Sequence, residues 1–197
     1  MEQSEQEWID AWRNGRIEGL ERLVDAYRRP LFAFILRMTE GRDDAEEIFQ
    51  ETWFRVIQHR TSYRDRRFKS WLFRIARNLV IDRARKRKFV VEPSDHAEGT
   101  EPLEHRLPDP KPDPARQVGG RELGHQIRQE VARLPDAQRE VYLLRMEAGL
   151  SFKEIAKLQQ TSVNTALGRM HNAIGKLREA LRGEYELRLR PPRETTP

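Results

Sequence analysis

Twelve lysines and arginines stand between His59 and Lys88, against two aspartates, Asp65 and Asp82. The full chain of 197 residues nets only +5, so positive charge is gathered in this stretch and offset elsewhere. A cluster this one-sided suits a polyanion better than it suits an evenly solvated surface. Tyr63 lies among the arginines, a composition fit for single-stranded nucleic acid, where bases stack on rings and guanidinium groups meet phosphates. Two other rows could serve recognition. Glu47, Gln50, Glu51 and Phe54 set an aromatic beside carboxylates, the make-up of a protein-binding face, although taken alone an ordinary solvated acidic face is the simpler reading. Asn164, Thr165, Arg169, Asn172 and Lys176 carry the amides, hydroxyls and cations that reach base edges and phosphates.

Catalytic chemistry has no comparable signature. The sequence offers no nucleophile–base pair, no Gly-rich phosphate loop and no metal-ligating cluster. It contains no cysteine, which removes disulfides, thiolate zinc sites and cysteine nucleophiles together. The Glu-x-x-His pairing of helical di-metal bundles is missing, and His96, His105, His125 and His171 stand apart without ligand spacing. We therefore expect a protein that is not an enzyme, with no cofactor and no small-molecule substrate. The opening MEQSEQEWIDAW is acidic and polar and has no apolar signal-peptide core. No apolar run approaches the length of a membrane span, so a soluble cytoplasmic protein is expected.

These residues need helices to position them. Phe68, Trp71, Leu72, Ile75, Ala76, Leu79 and Val80 recur at spacings of three and four, which puts them on one buried face and leaves Arg74, Arg77, Asn78, Arg85 and Lys88 on the other. The same period buries Ala45, Ile48, Phe49, Thr52, Trp53, Val56 and Ile57 in a preceding helix, with Asp43 or Asp44 as its N-cap. Upstream, Trp8, Ile9 and Trp12 mark a short helix stopped by Asn14-Gly15. Ile17, Leu20, Val24 and Tyr27 mark another; Pro30 must then begin or kink an element, and Gly41 closes the run as a C-terminal cap. Six of the eleven prolines fall between Pro93 and Pro114 among acidic residues, a linker composition.

Beyond it, Leu123, Ile127, Val131 and Leu134 mark a helix ended by Pro135, and Val141, Leu144 and Met146 mark one closed by Gly149. Ser151 to Glu154 is a capping box opening a short helix that buries Ile155, Ala156 and Leu158. Thr161 or Ser162 can cap a last long helix with the stripe Val163, Leu167, Met170, Ile174, Leu177 and Leu181. Two capped helices joined by a short polar turn read as a helix-turn-helix. The expected fold is all-α: two small helical domains, residues 1–90 and 119–183, joined by a flexible Pro/acidic linker, 91–118, and followed by a polar tail, 184–197.

DDAEEIFQETWFRVIQ followed by FKSWLFRIARNLVIDRARKRK resembles region 2 of bacterial sigma factors, and AGLSFKEIAKLQQTSVNTALGRMHNAIGKLREAL resembles their region 4. With these two regions and a short linker, the chain is most similar to the extracytoplasmic-function (ECF) sigma factors of the sigma-70 family. The resemblance implies a factor that binds core RNA polymerase, directs it to promoters and promotes promoter melting. Asp44, Glu47, Gln50, Glu51 and Phe54 would dock on the clamp coiled coil of the polymerase largest subunit, and region 4 on its flap. Arg60, Tyr63, Arg66, Arg67 and Lys69 in the loop, with Arg74, Arg77, Asn78, Asp82, Arg83 and Lys86 on the helix, would bind the minus-ten element and capture unpaired bases. Lys153, Thr161, Ser162, Asn164, Thr165, Arg169, Asn172 and Lys176 would serve the minus-thirty-five element as duplex.

An anti-sigma protein, in some relatives membrane-bound, is a further candidate partner. The family's Gly-Thr-Val-Lys-Ser-Arg run is altered here: Arg169 keeps the basic position, Ala166 is read in place of the lysine, and Gly168 weakens the helix by up to about 1 kcal/mol relative to alanine. The alternative function is a free-standing helix-turn-helix regulator acting on duplex DNA without polymerase. Such a protein would need a dimerisation or effector domain where this chain has an acidic helix beside a basic one.

Overall fold

The structure, a computed structural model, describes residues 2–64, 67–90 and 114–188, with side chains over 4–64, 67–87 and 123–182. All regular elements among the described residues are helical. In the first half, α1 (Glu2–Arg13) and α2 (Ile17–Met38) are joined by the Asn14-Gly15 turn, where Gly15 adopts a φ of +81°, the left-handed region glycine enters without steric cost. The two helices then run in contact. A Cβ at Gly19 would lie 2.4 Å from the Trp12 nitrogen and 2.5 Å from the Trp8 carbonyl oxygen, so only glycine admits this approach.

Pro30 lies inside α2 and does not begin an element. Leu23, Tyr27, Leu31, Phe34 and Ile35 continue one buried stripe across it, and their packing outweighs the single backbone bond that a proline forfeits. Gly41 is likewise not the cap of α2. That helix ends at Thr39, whose hydroxyl donates to the Ile35 carbonyl at 3.0 Å, and Gly41 is the N-cap of α3 (Arg42–Gln58). Asp43 and Asp44 fall in the first turn of α3 and do not cap it; there they still complement the helix dipole.

Helix α4 (Phe68–Val90) closes the first half. Its head joins an aromatic nucleus in which the rings of Trp12, Tyr63, Phe68 and Trp71 lie 4.8 to 6.1 Å apart. Tyr27 packs on Phe68 at 5.7 Å, and Phe34 meets Phe73 edge-on at 5.6 Å. Aromatic pairs of this kind add about 0.5–1.5 kcal/mol each beyond their buried area.

The second half holds α5 (Pro114–Ala132), α6 (Asp136–Met146), α7 (Phe152–Leu158) and α8 (Val163–Arg188). Helix α5 starts before the expected end of the linker; residues 91–113 lie outside the described residues. Val131, Leu134, Val141, Leu143, Leu144, Leu150 and Ile155 form the core. Met146, expected inside, is exposed, because Leu143 and Leu144 already fill the inward positions of α6. The capping box forms in full: Ser151 Oγ accepts from the Glu154 N–H, and the Glu154 carboxylate accepts from the Ser151 N–H at 2.9 Å. Gln160, with φ +53°, turns the chain into α8, where Ser162 Oγ accepts from the Thr165 N–H at 3.0 Å. The buried stripe of α8 is Ala166, Met170, Ala173 and Leu177. Val163, Leu167 and Ile174 are exposed, so the expected stripe is rotated. The two alanines permit closer approach of α6 and α7 than larger side chains would, and packing selects that face.

Candidate nucleic-acid interface

The end of α3, the connection after it and the first half of α4 surround an open cavity of about 390 Å³ lined by Arg55, His59, Ser62, Tyr63, Arg64, Trp71, Arg74, Ile75 and Asn78. It joins three guanidinium groups to aromatic surface. From its edge, Arg74, Asn78, Asp82 and Lys86 follow at intervals of four, all exposed, so one row of α4 faces solvent along its length. Tyr63 departs from expectation. It is 4% exposed and held in the aromatic nucleus, so it lines the cavity as part of the core and is not an open stacking platform. An aromatic in a basic loop reads the same way in sequence whether it turns outward or inward.

Several cations of this region, Arg64 of the cavity among them, make intramolecular contacts. Arg60 donates to the Arg13 carbonyl at 3.3 Å and lies over Gly15, where an added Cβ would be 2.7 Å from its Nη1. Arg64 donates to the carbonyls of Thr61 and Tyr63 at 2.8 and 3.0 Å, shaping the loop. Arg66 lies outside the described residues. Arg83 pairs with Asp44 at 3.1 Å and with Glu47, and Arg87 pairs with Glu40 and Asp44. The Arg83 hydrogen bond holds the Glu47 carboxyl below its usual range, and the same contact raises Arg83. Asp44 and Glu47, expected on a docking face, are thus also braces between α3 and α4.

On α3 the outward row is Glu47, Gln50, Phe54 and Ile57, at helical spacing. Phe54 is 54% exposed and Ile57 49%. Ile57, expected in the core, joins the exposed face because Trp53 and Val56 complete the buried stripe without it. Glu51 beside this row pairs with Arg55 at 2.8 Å.

On α8, Asn164, Thr165, Asn172 and Lys176 are exposed, as is Lys153 on α7; Thr161 is half-buried, and Ser162 is held as the N-cap. Arg169 is half-buried and donates to Gln159 Oε1 at 2.6 Å, tying α8 to the turn before it.

The two halves meet through charged side chains. Arg37 of α2 pairs with Glu147, and Arg77 of α4 with Glu140 of α6. In the latter pair the side chains keep 17% and 9% of their exposure. At the head of α4, Ser70 Oγ donates to Glu154 at 2.5 Å, and Arg67 pairs with the same carboxylate at 3.0 Å. Burial would raise the Glu154 carboxyl, but hydrogen bonds from the Ser151 hydroxyl, Ser70, the Ser151 backbone and Arg67 outweigh it and hold it at about 2.

Residues 23–90 match the family described as Sigma-70 region 2, and residues 124–180 match Sigma-70, region 4. Over 185 residues the chain is 32% identical to the ECF RNA polymerase sigma factor SigW of Bacillus subtilis (strain 168), covering 92% of this chain and 99% of that one. The chain is an ECF RNA polymerase sigma factor. SigM of the same organism is 29% identical over 84% of this chain and 94% of its own. Among solved structures, the sigma factor RpoE of Bartonella quintana, in complex with the anti-sigma factor NepR, shares the fold with a TM-score of 0.61 and 21% identity, over 83% of this chain and 96% of that one.

The free-standing regulator gains no support, since the matches span both helical halves in sigma-factor order. No described helix of this sigma factor is long and apolar enough to cross a membrane.

The position compared with the family's lysine in region 4 is corrected by counting, from Ala166 to Leu167. Ala166 is fully buried and Leu167 exposed, and counting back from Arg169 the family's lysine falls at Leu167. This sigma factor therefore carries an apolar side chain at that outward position. Sequence reasoning passed over Arg55 as a cavity residue, because a cation four residues from a carboxylate on one helix marks only a local ion pair. It also missed Glu140, Glu147 and Glu154 as partners of the first half, since no local pattern marks a contact across domains.

Proposed function

We propose that this sigma factor divides promoter recognition between the cavity-bearing face of α3 and α4 and the outer face of α8. The observation that carries the reading is the cavity: Arg55, Arg64 and Arg74 beside Trp71 and Tyr63, continued along α4 by Asn78, Asp82 and Lys86. Cations for phosphates next to a recess with aromatic walls are what a single strand with an unstacked base requires. Capturing unpaired bases there offsets the cost of opening the minus-ten duplex. Asn164, Thr165, Asn172 and Lys176 would meet the minus-thirty-five duplex, with Arg169 bracing the helix or reaching a phosphate from the turn.

Glu47, Gln50, Phe54 and Ile57, with Glu51 beside them, form the proposed docking face for the polymerase clamp, while Asp44 acts mainly through Arg83 and Arg87. The domain limits in this reading are residues 1–90 and 119–183. The factor contributes binding energy and no catalytic group, works in the cytoplasm, and has a protein inhibitor of the anti-sigma kind as a further partner. The test is transcription in vitro with purified factor and bacterial core polymerase on a library of genomic promoter fragments. Discrete transcripts that need both components, and open complexes lost in Arg74→Ala/Asn78→Ala while core binding persists, are the expected result. Loss of core binding in that variant would move α4 out of the DNA interface.

A further inference from the structure

Leu167 is the fifth residue of α8 and keeps 43% of its exposure. Nothing in the packing of its own domain calls for an apolar side chain there, because Ala166, Met170, Ala173 and Leu177 complete the buried stripe without it. It stands one turn after Asn164 and beside Gly168, where an added Cβ would meet nothing within 4 Å. Thr165, between them, has its hydroxyl hydrogen-bonded to the N-cap Ser162 at 2.8 Å. Side chains at the head of a helix lying in a groove are the ones that reach base edges. At the head of α8 the outward groups are chiefly an amide and an aliphatic chain.

We propose, on the reading that α8 faces the minus-thirty-five duplex, that Leu167 sets specificity by packing on the C5-methyl group of a thymine in the major groove. A leucine side chain neither donates nor accepts a hydrogen bond, so it cannot read the polar pattern of a base edge. The thymine methyl is the apolar feature that the major-groove code offers. A lysine at this position would reach a phosphate and carry no sequence information. Leucine gives up that attraction and gains discrimination between thymine and cytosine at one base pair. Val163 and Ile174 are exposed on the same edge of α8, as a protein-facing surface would have them. The neighbours Asn164, Asn172 and Lys176 suit base edges and phosphates and favour the duplex.

The test uses holoenzyme assembled from the full chain and bacterial core polymerase, on duplex promoters mapped by its own transcription. Each minus-thirty-five thymine, on either strand, is replaced singly by deoxyuridine, which lacks only the C5-methyl group. At one fixed position the replacement is expected to lower wild-type affinity about fourfold, the value of one buried methyl. Leu167→Ala should bind the thymine promoter severalfold more weakly and lose the penalty at that position, the non-additivity that marks a direct contact. Leu167→Lys should lose the penalty too, while tightening on unrelated duplexes through a phosphate. The side chain is exposed, so both variants should keep wild-type helical content.

The proposal is overturned if deoxyuridine weakens wild type at no position, if Leu167→Ala retains the penalty in full, or if the mapped promoters share no thymine. A loss in Leu167→Ala that is equal on every template also overturns it and makes this edge of α8 a protein-facing surface. Asn164→Ala scores the wider reading separately. If it weakens minus-thirty-five binding while the deoxyuridine series is flat, α8 still faces the duplex and only the role of Leu167 falls; if it too has no effect, both fall.

Discussion

Helices α4 and α8 carry the two proposed DNA faces of this sigma factor, and they manage their polar groups in opposite ways. On α8 the side chains facing outward are mostly uncharged, Asn164, Thr165, Leu167 and Asn172, with Lys176 further on, and they stand open to solvent. On α4 the charge is dense but much of it is engaged: Arg83 and Arg87 by the acidic side of α3, Arg77 by α6. The exposed row Arg74, Asn78, Asp82 and Lys86 remains, with Arg85 also open to solvent. Charge counted in sequence therefore overstates the cation available at one face. The difference matches two tasks. A duplex presents ordered base edges that neutral amides can read, whereas an opened strand must be held by its phosphates and bases against reclosure.

The sharpest way to break this contrast is at α3, whose carboxylates brace α4 and belong to the proposed polymerase-docking face. Glu47→Lys/Glu51→Lys should weaken association with core polymerase by about two orders of magnitude, since reversal replaces attraction with like-charge repulsion. The same variant leaves Arg83 with Asp44 as its one remaining partner and takes from Arg55 its Glu51 partner, so free factor should bind single strands with a steeper salt dependence. Unchanged retention on core polymerase would return that face to being solvated surface.

Next in size is Leu167→Lys, which restores a cation to the family's lysine position. It should tighten minus-thirty-five duplex binding severalfold and steepen the slope of log affinity against log salt by about 0.9. Equal slopes would place residue 167 away from the phosphates. Arg169→Ala tests the reverse, with a smaller loss because part of its role is the bond to Gln159.

The smallest effect concerns acid. Against the cost of burial, its hydrogen bonds hold the Glu154 carboxyl at about 2, well below the usual carboxylate range. A depressed carboxyl contributes stability that is complete above the unfolded value and is lost as pH falls through the folded one. Wild type should therefore lose more stability than Glu154→Gln between about pH 4.5 and 2, measured by urea unfolding at a series of pH values. Parallel pH profiles would show that Glu154 is not a paired carboxylate in the folded chain.

Much of the helical framework was legible because it rests on local rules. The turn at Gly15, the full capping box from Ser151 to Glu154 and the Ser162 cap of α8 all follow from residue type at fixed spacing. Where several apolar residues competed for one stripe, local rules were insufficient. Ile57, Met146, Val163, Leu167 and Ile174 all fit a buried period, and neighbouring helices chose against them. Pro30 misled for the same reason: its local preference was outweighed by packing on both sides of it. The candidate interface was legible as a composition, basic and aromatic, but its arrangement was not. Tyr63 turned inward and Arg60 folded over Gly15, and neither orientation has a sequence signal. The Arg77–Glu140 pair joins residues 63 apart, beyond the reach of any periodicity.

That separation has a consequence for synthesis. Domains emerge from the ribosome in order, at roughly 5–20 residues per second. For roughly 3 to 13 seconds after Arg77 is made, the carboxylate that covers it does not yet exist. Arg83 and Arg87 have their partners Asp44 and Glu47 already upstream, but Arg77 must wait for α6. Each newly made molecule thus passes through a brief period in which Arg77 has been made and its Glu140 partner has not.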